Sequence, residues 1–324
     1  MSDPRWTDAA LEPLRSLGDP DADRVVDELF DRGENVVHAV NVLMRDLVEN
    51  TDVPARSLPA EARRFFQGER LPAWADADKI AAGQGVFHRY GPLAILLLNT
   101  YSLPICYAAK KGVQVLARTN RLSSNPRRRI TETAQLVIDV MAPGGLDPTD
   151  GAGAGLRTAQ KVRLMHATIR RLIAHDPTWD PGFGLPINQE DLLGTLMSFS
   201  VATLDGLARL GVALSAAEVD AYMHTWNVVG AVMGVREDLL PASYAEGRAL
   251  ADRIAERHFE ACPEGQALTR ALLDMMEHMV PGTAFDGVPA EFVRHFVGDR
   301  VADLLDVPRP AERSRFVDLW RLFG

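Results

Sequence analysis

In the stretch KVRLMHATIRR, residues 161–171, one histidine, His166, sits between Arg163 and Arg170. On a helix turning about 100° per residue, the two arginines lie about 20° apart around the axis and His166 about 60° from Arg163. All three share a face. Val162, Leu164, Met165 and Ile169 spread around the remaining surface, so the trio is not simply the wet side of an amphipathic helix. Imidazole is a common metal ligand, and guanidinium pairs with carboxylates through two parallel hydrogen bonds. A cofactor with a metal at its centre and carboxylates at its edge would use all three, and haem, with its iron and propionates, is such a cofactor. A lone helical histidine is more commonly a satisfied or solvated group, so the spacing alone does not choose. Among the other histidines, His38, His175, His258, His278 and His295 stand in charged surroundings that suit solvation, while His88 and His224 are candidates for buried polar groups.

The elements that must position these residues read as helices almost throughout. Ile130, Ala134, Val137, Ile138 and Met141 recur at helical spacing in RRITETAQLVIDVM, and APGGLDPTDGAGAG then supplies a run of breakers. Asn188, with Asp191 three residues on, caps one long helix, QEDLLGTLMSFSVATLDGLARL, that ends at Gly211. Ser215 and Glu218 form a capping box for the helix that follows. Further helices are expected over 22–50, 76–90, 153–175, 243–260, 264–279, 289–305 and 311–322. No segment alternates with period two for long enough to make a sheet. The apolar run GPLAILLLNTYSLPICYAAKKG, 91–112, is interrupted by Asn99, Thr100, Tyr101, Ser102 and Pro104, which reads as a buried helix with a break near Pro104 and not as an integral membrane segment. The expected fold is all-α: an N-terminal helical extension over 1–74, one large helical domain over 75–310, and a C-terminal helix over 311–324.

Composition limits the function. The 324 residues carry a formal net charge of −9 and no long basic run, which argues against nucleic acid and leaves small molecules. Two cysteines, Cys106 and Cys262, cannot supply a disulfide framework or a four-thiolate metal site, and the first residues lack a basic-then-apolar secretory pattern. The cytoplasm is the expected compartment.

Four stretches carry a resemblance. KVRLMHATIRR, GLPINQEDLLGTLMSFSVATLDGLARLGV, YMHTWNVVGAVMGVREDLLP and VRHFVGDRVADLLDVP together are similar to the oxygenase MpaB and latex-clearing rubber oxygenase family, over roughly residues 75–310. The resemblance implies a globin-like helical core holding haem b. It makes His166 the axial iron ligand, with Arg163 and Arg170 supporting the cofactor and Arg294 as a further arginine near it. Rubber oxygenases place a lysine-threonine pair over the iron and a glutamate upstream proposed as a base. The local counterpart here is Glu132-Thr133, in RRRITETAQ, and no glutamate occurs in CYAAKKGVQVLARTNRL.

Thr133 shares an apolar face with Ile130 and Val137, which suits a hydroxyl directed into a dry pocket. Glu132 is either a distal acid-base group or a helical partner of Arg128 or Arg129. Gly194, Ser198, Ala202 and Gly206 form a small-residue stripe that suits either close helix packing or the approach of a flat macrocycle, and Ser198 is a candidate pocket residue. The expected activity is therefore oxidation or cleavage of a hydrophobic or unsaturated small molecule with dioxygen; no electron donor is legible. A non-catalytic haem-binding sensor or carrier is the alternative. Polyisoprene cleavage is more remote, given the departure at Glu132, and a di-iron site would need two Glu-x-x-His pairs that the sequence lacks.

Overall fold

The computed structural model describes residues 5–31, 64–66, 71–122, 126–147, 153–279 and 287–309; the side chains of 120–129 lie outside that description. The helices are α1 (Asp8–Leu11), α2 (Pro20–Asp31), α3 (Ala77–Leu97), α4 (Leu103–Ala108), α5 (Lys110–Leu122), α6 (Pro126–Met141) and α7 (Ala154–Ala174). After them come α8 (Gln189–Phe199), α9 (Val201–Arg209), α10 (Ala216–Val232), α11 (Tyr244–His258), α12 (Pro263–Met279), α13 (Val288–Val297) and α14 (Asp299–Leu304). Among the described residues the only strand-like pairing is an isolated bridge between Ala109 and Phe259, so the fold is all-α and forms one helical domain. The expected helix over 22–50 begins at Pro20 and is described as far as Asp31; its remainder and the helix expected over 311–324 lie outside the described residues.

The apolar segment is a core strut. Ala77–Ala108 is long and apolar enough to cross a membrane by length and composition, yet here it packs against α10 and α9. Gly83 permits the α10 approach: a Cβ there would stand 2.2 Å from Thr225 Oγ1 and 2.6 Å from the Ala221 carbonyl. The expected break at Pro104 falls earlier, in a π-helical turn over Leu98–Ser102. Asn99 and Thr100 donate to the carbonyls of Ile95 and Leu96, at 2.9 and 2.8 Å, and so disturb the helical ladder from their side chains. Pro104 sits in the first turn of α4, where its missing N–H leaves no bond unmade.

Two long expected helices are each divided. The one beginning after Asn188 breaks at Ser200 (φ −95°, ψ −74°), whose hydroxyl donates to the Leu196 carbonyl at 2.7 Å. That over 289–305 breaks at Gly298, whose φ of 79° only glycine adopts freely. The caps at Asn188 and Ser215 form as the sequence implies, the second as a complete capping box with Glu218. Ile138, counted with the apolar face of α6, is 44% exposed. The site helix, α7, is buried along most of its length between α6, α2 and α10.

Candidate functional site

Helices α4 to α11, α13 and α14 surround one cavity of about 1360 Å³ with a mainly apolar wall. Because α7 is enclosed, its side chains divide between this space and the neighbouring helices. Val162, Met165, His166 and Ile169 line the cavity. Glu132, Thr133 and Leu136 reach the same wall from α6, and Gly194 and Ser198 reach it from α8. His166, Glu132, Thr133 and Ser198 are thus brought to one cavity by three helices. The expected pairing of Glu132 with Arg128 or Arg129 falls on side chains outside the description.

Arg163 and Arg170 do not join them. Arg163 makes a two-pronged pair with Asp19, Nε to Oδ2 at 2.6 Å and an Nη to Oδ1 at 2.9 Å, and the pair is buried. Gly234 makes room for it: a Cβ there would lie 2.1 Å from Asp19 Oδ2, and its φ of 90° is open to glycine. Arg170 pairs with Asp23 and also donates to the carbonyls of Pro186 and Ile187. Ile187 is a β-branched residue at φ 53°, a left-handed conformation that a guanidinium across its carbonyl helps to hold, and its side chain lines the cavity. Burial pushes the Asp23 carboxyl up, against the pull of Arg170. With Asp27 on Arg171, three carboxylates spaced four residues apart, Asp19 just ahead of α2 and Asp23 and Asp27 on it, meet α7.

The shared-face reading of the arginine-histidine trio is therefore corrected. The helical angle fixes where each Cβ points, and the long guanidinium stems turn away from the cavity toward buried Asp19 and half-buried Asp23. Arg294 is corrected likewise. It donates to the carbonyls of Val307 and Pro308 and pairs with Asp299 and Asp303, closing the turn after α14 outside the cavity wall. Ser198 lines the cavity, but its hydroxyl donates to the Thr195 carbonyl at 2.7 Å and accepts from Cys106 Sγ at 3.2 Å. Burial pushes the Cys106 thiol up to about 11, so it stays protonated as a donor. In the small-residue stripe, a Cβ on Gly206 would lie 2.3 Å from Leu97 of α3, which is close packing between helices.

The residues that sequence reasoning missed form a second polar group in the wall. His258, placed among the solvated histidines, is 6% exposed, whereas His88, a candidate for burial, is exposed. His258 Nε2 lies 3.0 Å from Glu190 Oε2. Glu190 also receives Arg257 at 2.7 Å and Arg15 at 3.3 Å, and Arg15 reaches Asp191 at 3.2 Å. Burial alone would raise the Glu190 pKa; hydrogen bonds from His258 and Arg257 overcome it and hold the carboxyl at about 2. Asp191 moves the other way, its burial outweighing the pull of Arg15. The sequence signal was faint: ERH at the end of one helix and NQED at the start of another, with nothing to join them.

Residues 79–324 match the family model described as ER-bound oxygenase mpaB/B'/Rubber oxygenase, catalytic domain. The chain belongs to this oxygenase family. Over 331 residues it is 28% identical to the Rubber oxygenase of Streptomyces sp. (strain K30), an overlap of 98% of this chain and 79% of that protein. The fold is similar to that of Latex Clearing Protein LCP in the closed state, with a TM-score of 0.79 and 26% identity over 99% of this chain and 87% of the other. Membership of the mpaB/rubber oxygenase family makes the chain an oxygenase, and the match spans every helix that lines the cavity from α4 onward.

Proposed function

We propose that the chain is a haem b oxygenase that uses dioxygen to oxidise or cleave a hydrophobic, unsaturated small molecule. The observation that carries the reading is His166, an imidazole in the wall of a large, mainly apolar cavity in an oxygenase catalytic domain. The donor set fits the group: an imidazole for the metal, apolar walls for a macrocycle, and guanidiniums for its carboxylates. Those guanidiniums are Arg209 and Arg300 of the cavity wall, because Arg163 and Arg170 are committed to Asp19 and Asp23, Arg118 to Asp176, and Arg248 to Asp205 and Asp252. Bound haem would supply the iron at which dioxygen is activated.

The chain's own contribution is positioning. His166 would hold the metal from α7, and Ile169 and Met165 beside it present apolar surface to the same cavity. Glu132 and Thr133 offer a carboxyl and a hydroxyl to the same space, the first to hold or move a proton and the second to donate a hydrogen bond. Cleavage of polyisoprene is the second reading, favoured by the likeness to a rubber oxygenase.

Absorption and mass spectrometry of the purified protein test the cofactor: an intense Soret band with stoichiometric haem is expected. His166→Ala should abolish haem retention and leave the helical circular dichroism intact, since the change removes coordination more than core volume. Full haem occupancy with an unchanged spectrum in that variant would pass the ligand role to His258, the other described histidine of the wall. Product analysis under dioxygen, with polyisoprene latex beside unsaturated terpenes, separates the two substrate readings.

A further inference from the structure

The backbone of Ile187 is left-handed, at φ 53°, a conformation that a β-branched residue rarely takes. Among the described residues the other non-glycine at positive φ is Asp306, a residue type that adopts this conformation more readily. Backbone of this kind persists only where its surroundings over-determine it, and here they do. Arg170 donates to the Ile187 carbonyl from Nε at 3.3 Å and from one Nη at 3.0 Å, and to the Pro186 carbonyl from Nε at 3.2 Å. The other Nη pairs with Asp23. The chain is also tied down before and after Ile187. Leu185 N–H donates to the Arg15 carbonyl at 2.8 Å, and Gln189 N–H to the Leu17 carbonyl at 2.9 Å. The Gln189 side chain donates to the carbonyls of Gly18 and Gly234 and accepts from the N–H of Arg236.

This fixed backbone presents a branched apolar side chain to the cavity, packed at its base against the main apolar core. Glycine would take the same conformation freely and leave the wall bare at that point. Isoleucine is stiff at χ1, because two carbons on Cβ leave it few rotamers. On an immobile backbone such a side chain cannot swing aside for a ligand, so it discriminates by shape. We propose that Ile187 is a specificity-determining residue, a rigid post that favours slender unsaturated hydrocarbons over bulky ring systems, and that Arg170 is the positioning residue that keeps it in place. The proposal rests on the reading of this cavity as the site of an apolar substrate.

Equilibrium headspace chromatography over the purified, cofactor-loaded protein measures binding without turnover. The probes are 1-decene and camphene, two volatile alkenes of equal carbon number that differ in girth, each corrected for its partition into water. Ile187→Gly should move the affinity ratio toward camphene on the order of ten-fold. Ile187→Val keeps the branch at Cβ and should hold the ratio near its unaltered value. Arg170→Lys keeps a cation for Asp23 but loses the fork across the two carbonyls, so it should move the ratio in the same direction as Ile187→Gly. In the Ile187→Gly background it should add nothing, because the post is already gone. A ratio unchanged by Ile187→Gly, or an equal loss for both probes, overturns the assignment of Ile187. A further shift from Arg170→Lys in the glycine background overturns the role given to Arg170. Failure of the unaltered protein to bind either probe overturns the apolar-substrate reading itself, and the proposal with it.

Discussion

Glu190 shows how far a single carboxylate can be held from its ordinary behaviour. It is enclosed in the wall, opposed by two guanidiniums and one imidazole, and its pKa stands near 2 against an ordinary 4.5. A group whose folded pKa is depressed contributes stability above its unfolded pKa and loses it as the pH falls toward the folded value. The window here runs from about pH 4.5 down to about pH 2. Glu190→Gln should therefore lower stability at neutral pH and flatten the acid limb across that window, read from urea midpoints at a series of pH values. A parallel loss of stability in both proteins through the same interval would show that other carboxylates carry it. At this scale the sequence was partly legible. His166 stood out because its type and its neighbours suggested a metal and carboxylates, and it does line the cavity. The partners of Arg163 and Arg170 were not legible, because Asp19 and Asp23 precede them by 144 and 147 residues.

At the scale of elements, the contact between α2 and α7 replaces the cofactor role expected of the arginines. Asp19, just ahead of α2, and Asp23 and Asp27 within it present one carboxylate per turn to Arg163, Arg170 and Arg171. The members are unequal. Asp27–Arg171 is largely exposed and contributes little, whereas Asp19–Arg163 is buried, and breaking such a pair from one side costs about 3–5 kcal/mol. Replacing the three aspartates with asparagine should release α2, so that amide exchange over residues 20–31 accelerates by orders of magnitude while α10, packed on the far helices, stays protected. Unchanged protection of α2 would mean that its apolar residues Ala22, Val26 and Leu29, which pack against Leu164 and Ala167, hold it alone. The helices themselves were legible from their 3.6-residue period and their caps. Their interruptions were not, because Ser200 and the Asn99–Thr100 pair bend the backbone through single side-chain hydrogen bonds that leave the hydrophobic period untouched.

For the molecule as a whole, the all-α class follows from the absence of period-two patterning, and the cavity does not follow from any local pattern. It exists because α4 to α11 present small or apolar faces to a common centre, a property of how the helices cross and not of any one helix. Its volume is the quantity to perturb. Met165, beside His166 in the wall, is half-buried and can take a larger ring without losing a polar partner. Met165→Trp should lower kcat/KM for a bulky branched substrate on the order of ten-fold relative to a short linear one, with little change in melting temperature. An equal loss for both substrates would place Met165 nearer the reacting atoms than to the space the substrate fills.

The ties between the N-terminal segment and the rest of the chain also bear on the order of events during synthesis. Arg5 pairs with Glu246, Asp8 with Arg253 and Arg257, and Asp19 with Arg163, so this segment meets partners 144 to 249 positions further along the chain. Until residue 257 has left the ribosome, Arg15 has no complete Glu190 cluster to enter, and the helices around the cavity must collapse without their outermost brace. Full docking of this segment then waits on residue 257, and until Asp19, Asp23 and Asp27 are seated Arg163, Arg170 and Arg171 of α7 lack these carboxylate partners.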